Sequence, residues 1–473
     1  MADPRATCLA RLRDVVGAAQ VLTDADDVAP YLVDWRGRYR GAALAVVRPG
    51  TTAETSKVVA ACADTATPIV PQGGNTGLVG GGTPYERGDE VVVSLTRMNR
   101  IRAVDPDNAT IVVEAGATLA AVQRAAADAG LAFPLSLASE GSCTIGGNVA
   151  TNAGGTAVLR YGNARESVLG VEVVLADGTV LDLARALRKD NTGYDLKQLF
   201  IGSEGTLGIV TAAVLKLAAA PRSRTTAFAA VRGVDDAVTL LREARAALGD
   251  RLTGFELIGA LAHALSRKHH PASPDPLPGH PWYVLLQADD SAEDPGLATR
   301  VEAMLASAAE RGVVADATLA ASVAQANALW AARENIAEAQ RREGPNLKHD
   351  ISLPVSRIPD FLAEARTALD AAFPGVRYVV FGHLGDGNLH YNLSAPEGAS
   401  AEAFVAPDRL ERAQRIVHDL VRSRGGSISA EHGIGRLKRR ELARVKDAGE
   451  LALMRRIKEA LDPRGLLNPG KIV

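Results

Sequence analysis

Residues 71–82 read Pro-Gln-Gly-Gly-Asn-Thr-Gly-Leu-Val-Gly-Gly-Gly, and this run follows a short apolar stretch at Ile69-Val70. Glycine has no side chain to cover the backbone, so successive N–H groups in such a loop can form a cradle for an anion. The run lacks the Gly-Lys-Ser/Thr ending of nucleotide-triphosphate loops, and Gly-x-Gly-x-x-Gly is absent. A nicotinamide-type Rossmann site is therefore disfavoured, and taken alone the run could equally be a flexible turn.

Two further stretches, residues 139–155 and 202–210, are also rich in glycine and in hydroxyl or amide side chains. Three such stretches inside one predicted α/β domain suit an extended ligand with a pyrophosphate and polar rings better than a phosphate alone. A flavin dinucleotide has that shape.

Short β-rich runs alternate with helical patterns up to about Leu217, which predicts an α/β arrangement. The predicted strands are Leu44–Val47, Ile69-Val70, Val91–Leu95 and Ile111–Glu114, and the predicted helices are Ala53–Asp64 and Leu119–Ala129. Asp177-Gly178 between Val171–Leu175 and Val180–Leu183 predicts a hairpin, because Asp-Gly supplies the positive dihedrals of a tight turn. The sheet is therefore not expected to be purely parallel.

Small and helix-breaking residues at Ala218–Ser223 predict a domain boundary. Beyond it, the segment Lys268–Pro281 contains five prolines and is predicted as a loop, with its histidines solvated. Helices are expected at Asp294–Arg311, Ala317–Glu343 and Arg409–Arg424, and strands at Trp282–Gln287 and Tyr378–Phe381. This mixture predicts an antiparallel sheet covered by helices.

Length and charge limit the function. A chain of 473 residues exceeds the size of a single core, and 53 basic against 55 acidic side chains leave a net charge of −2. No attraction to nucleic acid or an anionic membrane follows. Cys8, Cys62 and Cys143 are dispersed, which favours a reducing cytoplasm. Residues 1–20 lack the apolar core of a secretory signal, and no apolar run is long enough to predict a transmembrane helix.

Two histidines frame a glycine-containing turn in His383-Leu384-Gly385-Asp386-Gly387-Asn388-Leu389-His390, and Glu431-His432 follow downstream. In one helix these histidines would lie roughly 10 Å apart along the axis, at ~1.5 Å per residue. The glycines instead favour a strand, a turn and a return, which can bring two imidazoles to one metal ion. A carboxylate would complete a two-histidine, one-carboxylate site. Two polar residues closing a turn account for the local pattern equally well.

Several long motifs in order carry a family resemblance: Asp34-Trp35-Arg36-Gly37, Arg188-Lys189-Asp190-Asn191-Thr192-Gly193-Tyr194-Asp195-Leu196-Lys197, and Leu467-Asn468-Pro469-Gly470-Lys471. Together with the glycine stretches they resemble the vanillyl-alcohol-oxidase type of FAD-binding flavoproteins. Within that type, the resemblance is to the FAD-dependent D-2-hydroxyglutarate dehydrogenase and D-lactate dehydrogenase branch, and it runs through most of the chain.

The resemblance implies an α+β protein with a bipartite, PCMH-type FAD-binding domain at residues 1–218, its core at about 40–217. A substrate (cap) domain with an antiparallel sheet and helices would follow at 219–425. A C-terminal helical segment, 426–473, would return to the flavin and carry the acid and base pair.

The resemblance also implies FAD-binding residues, with the first loop at the pyrophosphate and the other stretches lining the rest of the cofactor. They are Gln72, Gly73, Gly74, Asn75, Thr76, Gly77, Leu78, Gly80, Ser136, Ser139, Glu140, Gly141, Ser142, Gly146, Gly147, Asn148, Thr151, Asn152, Gly154, Gly155, Glu204, Gly208, Ile209, Val210 and Asn468. Relatives that bind FAD covalently often carry histidine where this chain has Asn75. We therefore expect a dissociable flavin.

Oxidising a 2-hydroxy acid requires a base for the hydroxyl proton and a group that acidifies the alcohol. The resemblance implies that His383, His390 and Glu431 bind zinc or another divalent ion. His432 would be the base, unless it is only a structural neighbour of Glu431.

Substrate carboxylates are assigned by the resemblance to Arg333 and Lys348, and Asn392 is a further substrate-binding candidate. Surface pairs of Arg333 with Glu334 and of Lys348 with Asp350 are the alternative.

D-2-hydroxyglutarate is the expected substrate, with 2-oxoglutarate as product. Ala337 stands where enzymes of that branch tend to carry a hydroxyl side chain, so D-lactate or D-malate remain alternatives. A non-haem iron oxygenase and a flavin-binding subunit without turnover are remoter ones. The expected electron acceptor is an electron-transfer flavoprotein or a quinone-linked chain, and the resemblance implies a homodimer.

Overall fold

The structure is a computed structural model that describes residues 3–473. The α-helices, in chain order, are α1 Pro4–Val16, α2 Ala25–Val28, α3 Thr52–Asp64, α4 Leu119–Asp128, α5 Ile145–Ala150, α6 Val158–Tyr161, α7 Ala164–Ser167, α8 Lys197–Phe200, α9 Val234–Leu248, α10 Ala260–His269, α11 Leu297–Glu310, α12 Val323–Glu334, α13 Ile336–Arg342, α14 Ile358–Ala372, α15 Ala401–Phe404, α16 Pro407–Ser423, α17 Arg439–Val445 and α18 Ala448–Leu461.

The strands, in chain order, are β1 Val21–Leu22, β2 Ala45–Val47, β3 Ile69–Gln72, β4 Val91–Ser94, β5 Ile101–Asp105, β6 Thr110–Glu114, β7 Leu131–Ala132, β8 Val168–Val174, β9 Val180–Leu183, β10 Ile209–Lys216, β11 Ala218–Ala219, β12 Ser223–Val231, β13 Leu252–Gly259, β14 Trp282–Asp290, β15 Asp316–Leu319, β16 Asp350–Ser352, β17 Arg377–His383 and β18 Asn388–Ser394.

The chain divides into two compact units, neither of which is continuous in sequence. Unit 1 comprises the described residues 3–155, 162–220 and 431–473, and unit 2 comprises residues 156–161 and 221–430. The glycine stretches, Glu431 and His432 belong to unit 1. The hairpin that carries His383 and His390 belongs to unit 2.

A four-stranded sheet in unit 1 has the order β1-β2-β4-β3, with β2, β4 and β3 parallel and β1 antiparallel at the edge. Its valines are buried on both faces, Val47 and Val93 in one cluster and Val46 and Val92 in another. Burial on both faces explains why these strands appear in the sequence as continuous apolar runs. The first glycine loop leaves the carboxyl end of β3.

A second sheet in unit 1 is entirely antiparallel, with the order β5-β6-β10-β8-β9, and β11 and β7 form a small separate pair. The predicted hairpin is confirmed as β8 and β9, and Gly178 adopts the required positive φ of 90° in its turn. The α+β class with antiparallel sheets is therefore confirmed. The third glycine stretch leads directly into β10 at Ile209.

Unit 2 is built on one antiparallel sheet of seven strands, in the order β15-β12-β14-β13-β17-β18-β16. One face packs on a large cluster that includes α9, α11, α14 and α16. The other face packs on a smaller cluster that includes α10, α12 and α13. Because helices cover both faces, every residue of the central strand β13 is buried.

The structure corrects two predictions of secondary structure made from the sequence. The helix predicted at Ala317–Glu343 is a strand at Asp316–Leu319 followed by two helices separated at Asn335, because β15 pairs with β12 and this pairing overrides the helical preference of alanine. The predicted loop Lys268–Pro281 begins inside a helix, since α10 extends to His269. Among residues 3–473, no helix is long and apolar enough to span a membrane.

Candidate active site

Side chains of the first glycine loop of unit 1 fix its shape by hydrogen bonds to backbone carbonyl groups. Gln72 Nε2 donates to Tyr31 O at 2.9 Å and to Gly82 O at 2.7 Å. Asn75, with a positive φ of 53°, donates from Nδ2 to Val33 O at 2.8 Å. These bonds hold the loop shape through side chains, so the loop amides are not needed for that purpose.

The first and second glycine stretches approach each other so closely that only glycine fits between them. A Cβ added at Gly74 would lie 1.9 Å from Ser142 O, and one at Gly73 would lie 2.2 Å from Thr144 Oγ1. By contrast, a Cβ added at Gly77 or at Gly141 would meet no atom within 4 Å in the described chain. The two stretches therefore form one packed backbone surface with glycines facing open space.

The C-terminal Asn468 joins this surface to the third stretch. Its Nδ2 donates to Gly81 O at 2.9 Å and to Glu204 O at 2.8 Å. Its Oδ1 and Thr144 Oγ1 are buried and have no hydrogen-bond partner among residues 3–473. Buried acceptors without donors are costly, and polar N–H or O–H groups of a bound cofactor would satisfy them. The surface thus fits a polar, extended cofactor such as a flavin dinucleotide.

Glu204, a predicted cofactor residue, uses its carboxylate to hold the backbone that follows His432. The carboxylate accepts from Ile434 N at 2.7 Å and from Gly435 N at 2.8 Å. Burial raises the pKa of Glu204 to about 7, although both N–H groups favour the charged form. Within the same unit, Glu431 Oε1 accepts from Gly155 N at 3.1 Å. The acid and base pair is therefore attached to the second and third glycine stretches.

Other predicted cofactor residues have protein partners that shape the second stretch. Ser136 Oγ donates to Glu140 Oε1 at 2.7 Å, and Asn152 Oδ1 accepts from Arg165 N at 2.9 Å. A direct contact of each of these side chains with the flavin stays a prediction.

The strand, turn and return predicted around the two histidines of unit 2 are confirmed as β17 and β18. The turn requires glycine at Gly387, whose φ is 85° and whose added Cβ would lie 2.2 Å from Leu353 O. Arg245 Nη2 donates to Gly385 O at 2.6 Å and holds the turn from outside. The rings of His383 and His390 lie with their centroids 6.0 Å apart. Both imidazoles can thus serve one small ion.

Glu256 in β13 is the main residue that sequence reasoning missed. It lies opposite His383 in the β13–β17 pairing, and its Oε1 is 2.6 Å from His383 Nδ1. Arg333 donates to Oε2 from Nε at 2.8 Å. Burial alone would raise the pKa of Glu256, but His383 and Arg333 outweigh it and lower the pKa to about 2. A single acid inside the apolar run of β13 was the available signal.

His390 also has a carboxylate beside it. Asp350 in β16 is the register partner of His390 in the neighbouring strand β18, and its Oδ1 is 3.9 Å from His390 Nδ1. The same oxygen accepts from Asn388 Nδ2 at 3.0 Å. A carboxylate hydrogen-bonded to an imidazole, as Glu256 is to His383, orients a metal-binding histidine, so the hairpin fits a divalent metal.

The predicted substrate-binding residues of unit 2 have different surroundings. Arg333 is buried, so the alternative of a surface pair with Glu334 does not describe it. Its guanidinium also lies over the ring of Phe381, 4.8 Å from the centroid. Asn392 is buried, its Oδ1 accepting from His349 N at 3.1 Å and its Nδ2 donating to Gln340 Oε1 at 3.0 Å. Lys348 is half-buried and lies two residues before the start of β16.

Comparison with known proteins adds the family. The family model for the FAD binding domain matches residues 43–184, and that for the C-terminal domain of FAD linked oxidases matches residues 220–472. D-2-hydroxyglutarate dehydrogenase of Bos taurus, a mitochondrial protein by name, is 42% identical over 467 residues, which are 98% of this chain and 83% of that protein. The chain belongs to the D-2-hydroxyglutarate dehydrogenase branch of the FAD-linked oxidases.

Another member of this branch, D-2-hydroxyglutarate dehydrogenase of Xanthomonas citri pv. viticola, is 41% identical over 100% of this chain and 97% of its own. Among solved structures, p-cresol methylhydroxylase with substrate bound superposes with a TM-score of 0.77 over 99% of this chain and 96% of that one, at 18% identity. The likeness to the Xanthomonas protein extends over whole chains, and the likeness to p-cresol methylhydroxylase shows a shared fold. A flavin-free oxygenase does not account for a matched FAD-binding domain.

Proposed function

We propose that this protein oxidises D-2-hydroxyglutarate to 2-oxoglutarate, with non-covalently bound FAD as the hydride acceptor. The observation that carries the proposal is the combination, in a chain of this branch, of a glycine-built cofactor surface and a hairpin with two histidines, of which His383 is hydrogen-bonded to a buried carboxylate. FAD supplies the hydride-accepting ring when bound.

In this proposal, His432 is the base that takes the hydroxyl proton of the substrate. His383, His390 and Glu431 hold a divalent ion, zinc by preference for two imidazoles and a carboxylate, which would bind substrate oxygens and lower the pKa of the alcohol. The orientation of His432 depends on the backbone after it, which Glu204 holds through Ile434 and Gly435.

Arg333 and Lys348 are proposed to bind the carboxylates of the substrate, and Asn392 to donate a hydrogen bond. Glu256 already engages Nε and Nη2 of Arg333, so the remaining edge of the guanidinium would meet the substrate. Ala337 is exposed and cannot donate a hydrogen bond to a second carboxylate. D-lactate or D-malate is therefore retained as an alternative substrate.

We further propose an electron-transfer flavoprotein or a quinone-linked chain as the electron acceptor, a homodimer as the assembly, and the cytoplasm as the location. The location rests on three buried, unbridged cysteines, whereas the name of the Bos taurus relative is mitochondrial. Cell fractionation and sedimentation of the purified protein would test the last two points.

Anaerobic flavin bleaching tests the reaction. Metal-replete protein is mixed with D- and L-2-hydroxyglutarate, D-lactate and D-malate, and the loss of flavin absorbance is followed. The expected result is fastest bleaching by D-2-hydroxyglutarate and none by the L isomer. Absence of bleaching with every D-2-hydroxy acid would contradict the proposed function. Acid precipitation should leave the yellow chromophore in the supernatant, since Asn75 offers no covalent attachment.

A further inference from the structure

Glu256 is a charged group in the most buried strand of unit 2, and its side chain is 1% exposed. Taking a carboxylate out of water is costly unless good partners compensate for the loss of hydration. Here the two oxygens have separate partners: Oε1 lies 2.6 Å from His383 Nδ1, and Oε2 lies 2.8 Å from Arg333 Nε and Nη2. One side chain thus contacts a proposed metal ligand and a proposed substrate ligand.

The contact with His383 selects a tautomer. A carboxylate oxygen can only accept, so Nδ1 carries a proton, and in the neutral ring the lone pair then lies on Nε2. That is the form of imidazole that binds a metal through Nε2. The hydrogen bond also fixes the rotation of the ring, because the acceptor is held in place by the β13–β17 pairing of Glu256 with His383.

The contact with Arg333 fixes a second group. The guanidinium is held between the carboxylate of Glu256 and the ring of Phe381, whose centroid is 4.8 Å away. The Phe381 ring in turn lies 4.8 Å from the ring of His390. The position of Arg333 is therefore set by the same small cluster that holds both histidines.

We propose that Glu256 is a positioning residue that fixes the Nε2-binding form of His383 for a divalent metal and orients Arg333 toward the substrate carboxylate. This inference rests on the proposed function. The competing explanation is that Glu256 is only the buried counter-ion of Arg333, in which case removing both charges together would restore metal binding.

Four proteins separate these explanations: wild type, Glu256→Gln, Arg333→Met and the double variant Glu256→Met, Arg333→Met. The double variant replaces a buried ion pair with apolar side chains of similar length, a change that proteins often tolerate. If Glu256→Gln does not fold, the double variant decides the question. Asp289→Asn is the matched control, because Asp289 is a buried acid of the adjacent strand β14 that pairs with Arg224 at 2.8 Å.

The measurement is the dissociation constant for Zn²⁺, by competition with a chromophoric chelator, with flavin content and melting temperature as folding checks. We expect Glu256→Gln and the double variant to bind Zn²⁺ about 10–100-fold more weakly, as for other lost partners of metal-binding histidines. Arg333→Met should retain the affinity and raise KM for the substrate. Asp289→Asn should retain both the affinity and KM.

Wild-type affinity in the double variant would overturn the positioning role and leave the proposed function intact. If the wild-type protein binds Zn²⁺ no better than His383→Ala does, both the metal site and the role of Glu256 are overturned. Weak binding in the double variant with retained flavin and melting temperature supports the inference.

Discussion

The two units build their binding surfaces in opposite ways. In unit 1 the surface is made of backbone, and its precision comes from glycines such as Gly73 and Gly74 that bring two chain segments into contact. In unit 2 it is made of charged side chains buried in a sheet, with Glu256 between His383 and Arg333. An added Cβ should therefore disrupt the backbone surface of unit 1, whereas loss of one charge should disrupt the side-chain cluster of unit 2.

The largest effect is expected from His432, the base that unit 1 is proposed to contribute. His432→Ala should slow flavin reduction by ~10²–10⁴, the range for a lost general base, with little change in flavin content. The measurement is anaerobic stopped-flow reduction by D-2-hydroxyglutarate. His280→Ala, in the proline-rich loop of unit 2, is the control and should leave the rate unchanged. An unchanged rate of flavin reduction in His432→Ala would contradict the assignment of His432 as the base.

Adding a methyl group to the backbone surface should come next. Gly74→Ala places a Cβ 1.9 Å from Ser142 O, and backbone cannot yield as a side-chain end can. We expect a loss of about 1–3 kcal/mol or more in stability together with loss of flavin from the purified protein. Absorbance at the flavin bands and thermal unfolding measure the two effects.

Gly77→Ala is the matched change, because its Cβ meets nothing within 4 Å in the described chain. It should leave the melting temperature of the flavin-free protein unchanged and weaken only FAD binding. Equal effects of the two substitutions on the flavin-free protein would contradict the description of a packed backbone surface.

In the turn of the histidine hairpin, an added methyl group should cost more stability at Gly387 than at Gly385. Gly387→Ala combines a positive φ of 85° with a clash at Leu353 O, so we expect a cost of roughly 1–3 kcal/mol and weaker Zn²⁺ binding. At Gly385, the nearest atom to an added Cβ is a terminal methyl of Leu159, which can move. Gly385→Ala should therefore be milder in both thermal unfolding and chelator competition. A larger effect of Gly385→Ala than of Gly387→Ala would show that the turn is not the rigid part of the site.

The smallest effect concerns a buried charge in unit 1 that lacks the pairing of Glu256. Lys471 Nζ is buried, lies 4.3 Å from the centre of the Tyr85 ring and has no hydrogen-bond partner within the described residues. Burial lowers the pKa of Lys471 from 10.5 to about 8, with only partial opposition from the charge of Glu90. The unfolded chain then binds more protons between pH 8 and 10.5, so stability should rise with pH across that range.

Lys471→Met should remove this slope and raise the stability at pH 7, because no buried charge is then left to desolvate. Melting temperatures at pH 7, 8.5 and 10 measure both effects. If stability still rises with pH in Lys471→Met, another titratable group is responsible for the rise.

Much of unit 1 could be predicted because its chemistry is local. Glycine spacing at Gln72–Gly80 indicated an exposed backbone, and Asp177-Gly178 indicated a hairpin, since both depend on dihedral preferences within a few residues. The hairpin between His383 and His390 was predictable for the same reason. The helix expected at Ala317–Glu343 was partly wrong because pairing of β15 with β12 is decided by residues about ninety positions away.

The sequence by itself determined the glycine surfaces and the histidine turn, because each is encoded by residues that are neighbours along the chain, and the family resemblance of its motifs implied the α+β class. Only the tertiary structure decided that Glu256, more than a hundred residues before His383, would be its partner and that Arg333 would be buried instead of lying at the surface. The physical reason is that a buried charge finds its partners across a sheet and a covering helix. No local pattern specifies the register of that sheet.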